Sequence, residues 1–131
     1  MIDTTTLNPE GIYNSPNYYS GLKAGDFIFT AGRVPVDETG DVVSPNDAEA
    51  QTKKIMEDLE SILEEGGATL QDVVHINTLY FSGDDMPIIH EVRQDYFGEH
   101  YPPHTGIQNK SRSWEESGIR LEIEVMAVIE D

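Results

Sequence analysis

The sequence predicts an α+β domain, a mixed β-sheet with two helices packed on one of its faces. Two observations carry this. Apolar residues recur at helical spacing in two stretches, 48–63 and 86–97, while β-branched and aromatic runs occupy 27–31, 73–81 and 121–129. Each helical stretch also lies between β-rich runs, so each reads as a crossover, and right-handed crossovers put both helices on the same side. The chain has 131 residues, 37% of them apolar, enough for one core. With no internal repeat and no Pro/Gly/Ser-rich linker, one domain spanning 1–131 is expected.

The elements follow in order. Residues 1–15 are polar, with Pro9 inside them and Pro16 just after, and read as an irregular lead-in. A short strand is expected from Tyr18 to Lys23, turned at Ala24-Gly25-Asp26, then a second over Phe27–Ala31 ended by Gly32. Asp37 to Asp41 is a turn. Ser44 suits a helix N-cap, Pro45 the first helical position, and Asp47 stands three residues after the cap. Ala48, Thr52, Ile55, Leu59, Ile62 and Leu63 then form one buried stripe, and Gly66-Gly67 stops the helix. Its other face, with Lys53, Lys54, Glu57, Asp58, Glu60 and Glu64, reads as solvated. Val73 to Phe81 reads as a central strand. A second helix covers Met86 to Phe97, with Pro87 in its first turn and Ile88, Val92 and Tyr96 on one face. Pro102-Pro103 breaks it off, and strands are expected over His104–Lys110 and Leu121–Ile129.

Charge narrows the function. Asp and Glu number 25 against 8 Lys and Arg, a net charge of −17, which repels phosphate backbones and disfavours nucleic acid as a partner. Carboxylates so dense destabilise a compact state at ordinary ionic strength. In molar salt the Debye length falls to ~3 Å and the repulsion is screened, so a salt-rich, halophilic host is expected. The chain has no cysteine, which excludes disulfides and thiolate chemistry. No signal peptide is visible, and the longest apolar run, Val125 to Ile129, is far short of a membrane span; a cytoplasmic protein without membrane contact is expected.

In the last strand Leu121, Ile123, Val125, Ala127 and Ile129 point toward the helices, while Glu122, Glu124, Met126 and Val128 point away. A face that mixes carboxylates with apolar groups suggests burial against another subunit, the carboxylates lying at a cleft. Glu122 and Glu124 could then serve as acid and base or orient a water. His104 follows a double proline, a rigid mount for a titratable side chain. His100 and His104 have the spacing of a helical metal pair, but the prolines between them preclude the helix, so no metal site is expected.

The run Phe27-Ile28-Phe29-Thr30-Ala31-Gly32-Arg33-Val34-Pro35 resembles a segment of the RidA (YjgF) family. So do Thr39-Gly40, Glu49-Ala50-Gln51-Thr52, Gly66-Gly67-Ala68, His90 through Phe97, and Leu121 through Val128, in family order and spacing. The resemblance implies a chorismate-mutase-like fold, a homotrimer with ligand clefts between subunits, and cofactor-free hydrolysis of reactive enamines and imines to keto acid and ammonia.

Carried over residue by residue, Tyr18 matches the family tyrosine, Glu122 its last-strand carboxylate, and Gly32 the glycine lying against the ligand. The family's Pro-Ala-Arg-Ser becomes Pro102-Pro103-His104-Thr105, so His104 stands where the substrate-carboxylate arginine belongs. His90 replaces a helix asparagine. The implied site therefore has Glu122, Tyr18 and His104 as catalytic groups. Gly32, Arg33, Thr105, Ile107 and His90 are its binding groups: Arg33 (or Arg120) as a substitute cation, and the amides near Gly32 and Ile107 as oxyanion donors. Arginine grips a carboxylate through two charged donors, and a neutral imidazole offers one. The alternative is accordingly a non-catalytic trimer that binds small carboxylates or protects a partner.

Overall fold

The computed structural model describes residues 2–130. Its strands are β1 (Thr4–Leu7), β2 (Gly21–Ala24), β3 (Phe27–Thr30), β4 (Val73–Tyr80), β5 (His104–Gln108) and β6 (Leu121–Val128), and its helices α1 (Ala48–Glu65), α2 (Met86–Phe97) and α3 (Arg112–Ser117). They form one sheet in the order β1-β2-β3-β6-β4-β5. β4 and β5 are parallel, as the α2 crossover requires. β6 lies antiparallel between β3 and β4, so those two strands run the same way and α1 is the crossover that joins them. None of the described helices is long and apolar enough to cross a membrane.

The expected stripe of α1 forms the core. Ile55, Leu59, Ile62 and Leu63 are fully buried and pack with Ile28 of β3 and with Leu121, Ile123 and Ala127 of β6. A register shift between Val73, opposite Ala127, and His75, opposite Met126, leaves Val74 as the extra residue of a bulge and resets the alternation of β4, so that Val73, Ile76 and Thr78 all turn inward.

Five expectations are corrected. The lead-in is not wholly irregular: Thr4-Thr5-Thr6 are β-branched, Leu7 is fully buried, and β1 pairs with β2. Tyr18 and Tyr19 precede β2 in an exposed loop instead of opening the strand. The N-cap of α1 is Asp47, whose side chain accepts from the Ala50 amide; Ser44 and Asn46 take left-handed backbone (φ 42° and 66°). The cause is tertiary. The Asn46 amide and the Gln51 side chain both donate to the Gly118 carbonyl, and this docks the 44–46 turn on the end of α3. Gly118 itself has φ 80°, and a Cβ there would lie 2.6 Å from Pro45. On α2 the buried face is Ile89, Val92, Arg93 and Phe97, one step round from the one expected. Finally, Asp58 is only 1% exposed, not solvated: its carboxylate accepts from Arg33 (3.1 Å) and Lys54 (2.9 Å). The short helix α3, capped by Ser111 and closed by Gly118, was not expected from periodicity because six residues hold too few turns to show one.

Candidate functional site

β6 sorts its side chains as its alternation requires. Leu121, Ile123, Val125 and Ala127 are buried toward the helices, and Glu122, Glu124, Met126 and Val128 stand on the open face. Register carries that face across the sheet: Glu122 is opposite Leu79 and Glu124 opposite Asn77 on β4, and those residues are opposite Ile107 and Thr105 on β5. Asn77, Leu79, Ile107, Glu122 and Glu124 line a groove of about 360 Å³. A smaller hollow of about 100 Å³, holding His75 and Phe29, adjoins it through Asn77 and Glu124.

Glu122 is half-buried, and its carboxylate makes no hydrogen bond among the described residues. Burial raises its pKa above the ordinary carboxylate value, and the charge of Glu124 raises it further. Glu124 is exposed and accepts from the Asn77 amide at 2.8 Å. The carboxylate of Glu122 lies against Gly32, where a Cβ would come within 2.6 Å of its Cδ. The open face therefore brings together Glu122, Gly32, Thr105 and Ile107.

His104 and His90 lie elsewhere. His104 is opposite Ile76, a buried core residue, so its side chain starts on the helix-bearing face. There Arg93 of α2 reaches both imidazoles. Its Nη1 donates to Thr78 Oγ1 (2.6 Å) and to His104 Nε2 (2.9 Å), and its Nη2 donates to His90 Nδ1. The two rings meet edge to face, 5.4 Å between centroids. Burial, then the Arg93 charge, drives the His104 pKa down to about 4 and lowers that of His90; burial lowers Arg93 itself to about 10. Both imidazoles are therefore neutral acceptors at neutral pH.

Tyr18 is 57% exposed and lines a separate depression with Asn8, Ser15, Pro16, Asn17 and Tyr19. Arg33 does not reach the groove. It is turned to the helix side, where it is buried against Asp58 and Ser20. Arg120 pairs with Asp85 at 2.6 Å and lies over Phe81. Neither is a free substitute cation. His100 is turned from His104 and donates to the Val73 carbonyl at 2.7 Å. Arg93 and Thr78 were missed in the sequence. Their only signal there was the i, i+3 spacing of His90 and Arg93 on α2.

The family profile described as Endoribonuclease L-PSP matches residues 10–129. A RutC family protein of Pyrococcus abyssi is 40% identical over 92 residues, covering 70% of this chain and 72% of the relative. The 3-aminoacrylate deaminase RutC of Acinetobacter baylyi is 34% identical over 91 residues, with 70% and 72% covered. Among solved structures, Escherichia coli TdcF with bound serine superposes with a TM-score of 0.84 at 25% identity, covering 96% of this chain and 99% of that one. A profile matched along almost the whole chain, together with a superposition that spans nearly all of both chains, leaves one conclusion: the chain belongs to the RidA/YjgF family.

Proposed function

We propose that the protein hydrolyses reactive enamines and imines to a carbonyl compound and ammonia, in clefts completed between three copies of the chain. The observation that carries this reading is Glu122, a carboxylate with a raised pKa and no hydrogen-bond partner among the described residues, held against Gly32 in an open-face groove. The kinship with a named 3-aminoacrylate deaminase supports it.

The enamine takes a proton on carbon, or the imine a proton on nitrogen, to become the iminium ion. Glu122 then accepts a proton from water as the water oxygen bonds to the iminium carbon, giving a neutral carbinolamine. It returns that proton to nitrogen. The C–N bond breaks, the electron pair leaves with ammonia, and the remaining hydroxyl proton is lost as the carbonyl forms. Amides near Gly32 and Ile107 hold the developing oxyanion or a carboxylate, Thr105 lines the rim, and Tyr18, which lies outside the groove within one protomer, hydrogen-bonds the substrate from a neighbouring copy.

Within one protomer Glu122 and the His90–His104 pair occupy opposite faces, so they can act on one substrate only across a subunit boundary. The open face offers such a boundary. Phe27, Phe29 and Ile107 are 46%, 41% and 57% exposed there, an apolar surface of the kind that subunits cover.

The test is release of ammonia and keto acid from imines generated enzymatically in the same vessel. Wild type should accelerate it, and Glu122→Gln should lose at least ~10²-fold, the usual weight of a general base. Equal rates with and without the protein would remove the reading. A second reading, a trimer that binds small carboxylates without turnover, is favoured by His104 standing in place of arginine. Ligand binding without acceleration in the same assay would select it.

A further inference from the structure

Four arginines occur in the chain, and three are answered by acids: Arg33 by Asp58, Arg112 by Glu116 and Arg120 by Asp85. Among the described residues Arg93 is not, although acidic residues number 25 in the chain. It is 5% exposed, and its partners are one hydroxyl and two imidazoles, all uncharged. A buried cation is ordinarily paired, because desolvating a charge without a counter-ion is costly. Its Nε–H, moreover, has no partner among the described residues. Thr78, fully buried, and His104 fix Nη1 from below, whereas His90 is exposed and stands between Nη2 and solvent.

We propose that Arg93 is an anchor for a small carboxylate ligand, which enters past His90 and takes both the free Nε–H and the Nη2–H that His90 holds. A carboxylate fits the fork of a guanidinium through two parallel bonds. Its single charge balances the single cation of the cluster, which a phosphate dianion would exceed in a chain of net charge −17. Thr78 and His104 are positioning residues that keep the fork aimed. As a carboxylate site the cluster stands without turnover. As the anchor for the carboxylate of an imine substrate it rests on the deaminase reading, and Arg93, 2.9 Å from His104, then supplies the cation that position 104 lacks.

The test is titration of the intact protein with pyruvate, followed calorimetrically and through the arginine Nε–H and histidine ring resonances. Pyruvate should shift the signals of Arg93 and His90. Arg93→Gln should weaken its binding ~10- to 150-fold, the loss of a charged pair of hydrogen bonds, and Arg93→Lys should restore only part because the fork is gone. Arg112→Lys, on an exposed pair, should bind like wild type. His90→Ala removes the competing acceptor and should tighten binding several-fold, which keeps the test valid if Arg93→Gln does not fold. Unchanged affinity in Arg93→Gln, weaker binding in His90→Ala, preference for inorganic phosphate, or no pyruvate binding would each overturn the anchor. Binding at Arg93 without imine turnover would instead remove the deaminase reading alone. Turnover of carboxylate-bearing imines at wild-type KM in Arg93→Gln would remove the anchor alone.

Discussion

The carboxylate of Glu122 rests on the α-carbon of Gly32, filling the space a side chain at that position would take. Position 32 must therefore be bare for Glu122 to stay in the groove. Gly32→Ala drives its methyl into the far end of a flexible side chain, which swings aside at small cost to folding. The expected outcome is a loss of imine hydrolysis of ~10-fold or more, with a melting temperature within a few degrees of wild type. Steady-state rates beside a thermal melt check it, and full activity would mean that the carboxylate need not lie where it does.

The proposed hydrolysis also predicts an acid limb: it needs Glu122 in its base form, and the pKa of Glu122 is raised by burial first and by Glu124 second. The rate should fall as pH drops through a midpoint above ~4.3, the ordinary glutamate value. Glu124→Gln should move that midpoint down, since the like charge is removed. A pH–rate profile of both proteins decides this.

The same shift has a stability consequence. A carboxyl whose folded-state pKa exceeds its unfolded value costs stability where it is ionised, and the cost disappears as pH falls through the folded pKa. Glu122→Gln should therefore melt higher than wild type at pH 7, the two curves converging toward about pH 4. Parallel melts across pH would reveal the opposite sign if Glu122 were stabilising.

Asp58 and Arg33 form a buried pair, with Lys54 on the second carboxylate oxygen. Asp58→Asn leaves the Arg33 cation enclosed without an acid, a change worth ~3–5 kcal/mol. A melting temperature lowered by about 10 °C or more is expected. Loss of only a degree or two would show that the pair is dispensable.

A net charge of −17 predicts that folding strengthens with salt. Melting temperature should climb steadily from low salt to molar KCl. A flat or falling curve would set aside the expectation of a salt-rich host.

What the sequence alone determined is whatever rests on period and punctuation. The stripe from Ala48 to Leu63, the bounds of α2, the alternation of Leu121–Val128 and the placement of Glu122 on the open face are local consequences of spacing, because side-chain direction follows from helix pitch and strand pleat. Tertiary structure decided the rest, where distant groups compete for one residue. Gly118 pulled the start of α1 from Ser44 to Asp47, and Arg33 drew Asp58 out of a face that its neighbours made look solvated. Arg93 found Thr78 and His104 across a gap that no sequence period spans. Such pairings are set by which elements pack together, and a buried charge takes its meaning from what surrounds it.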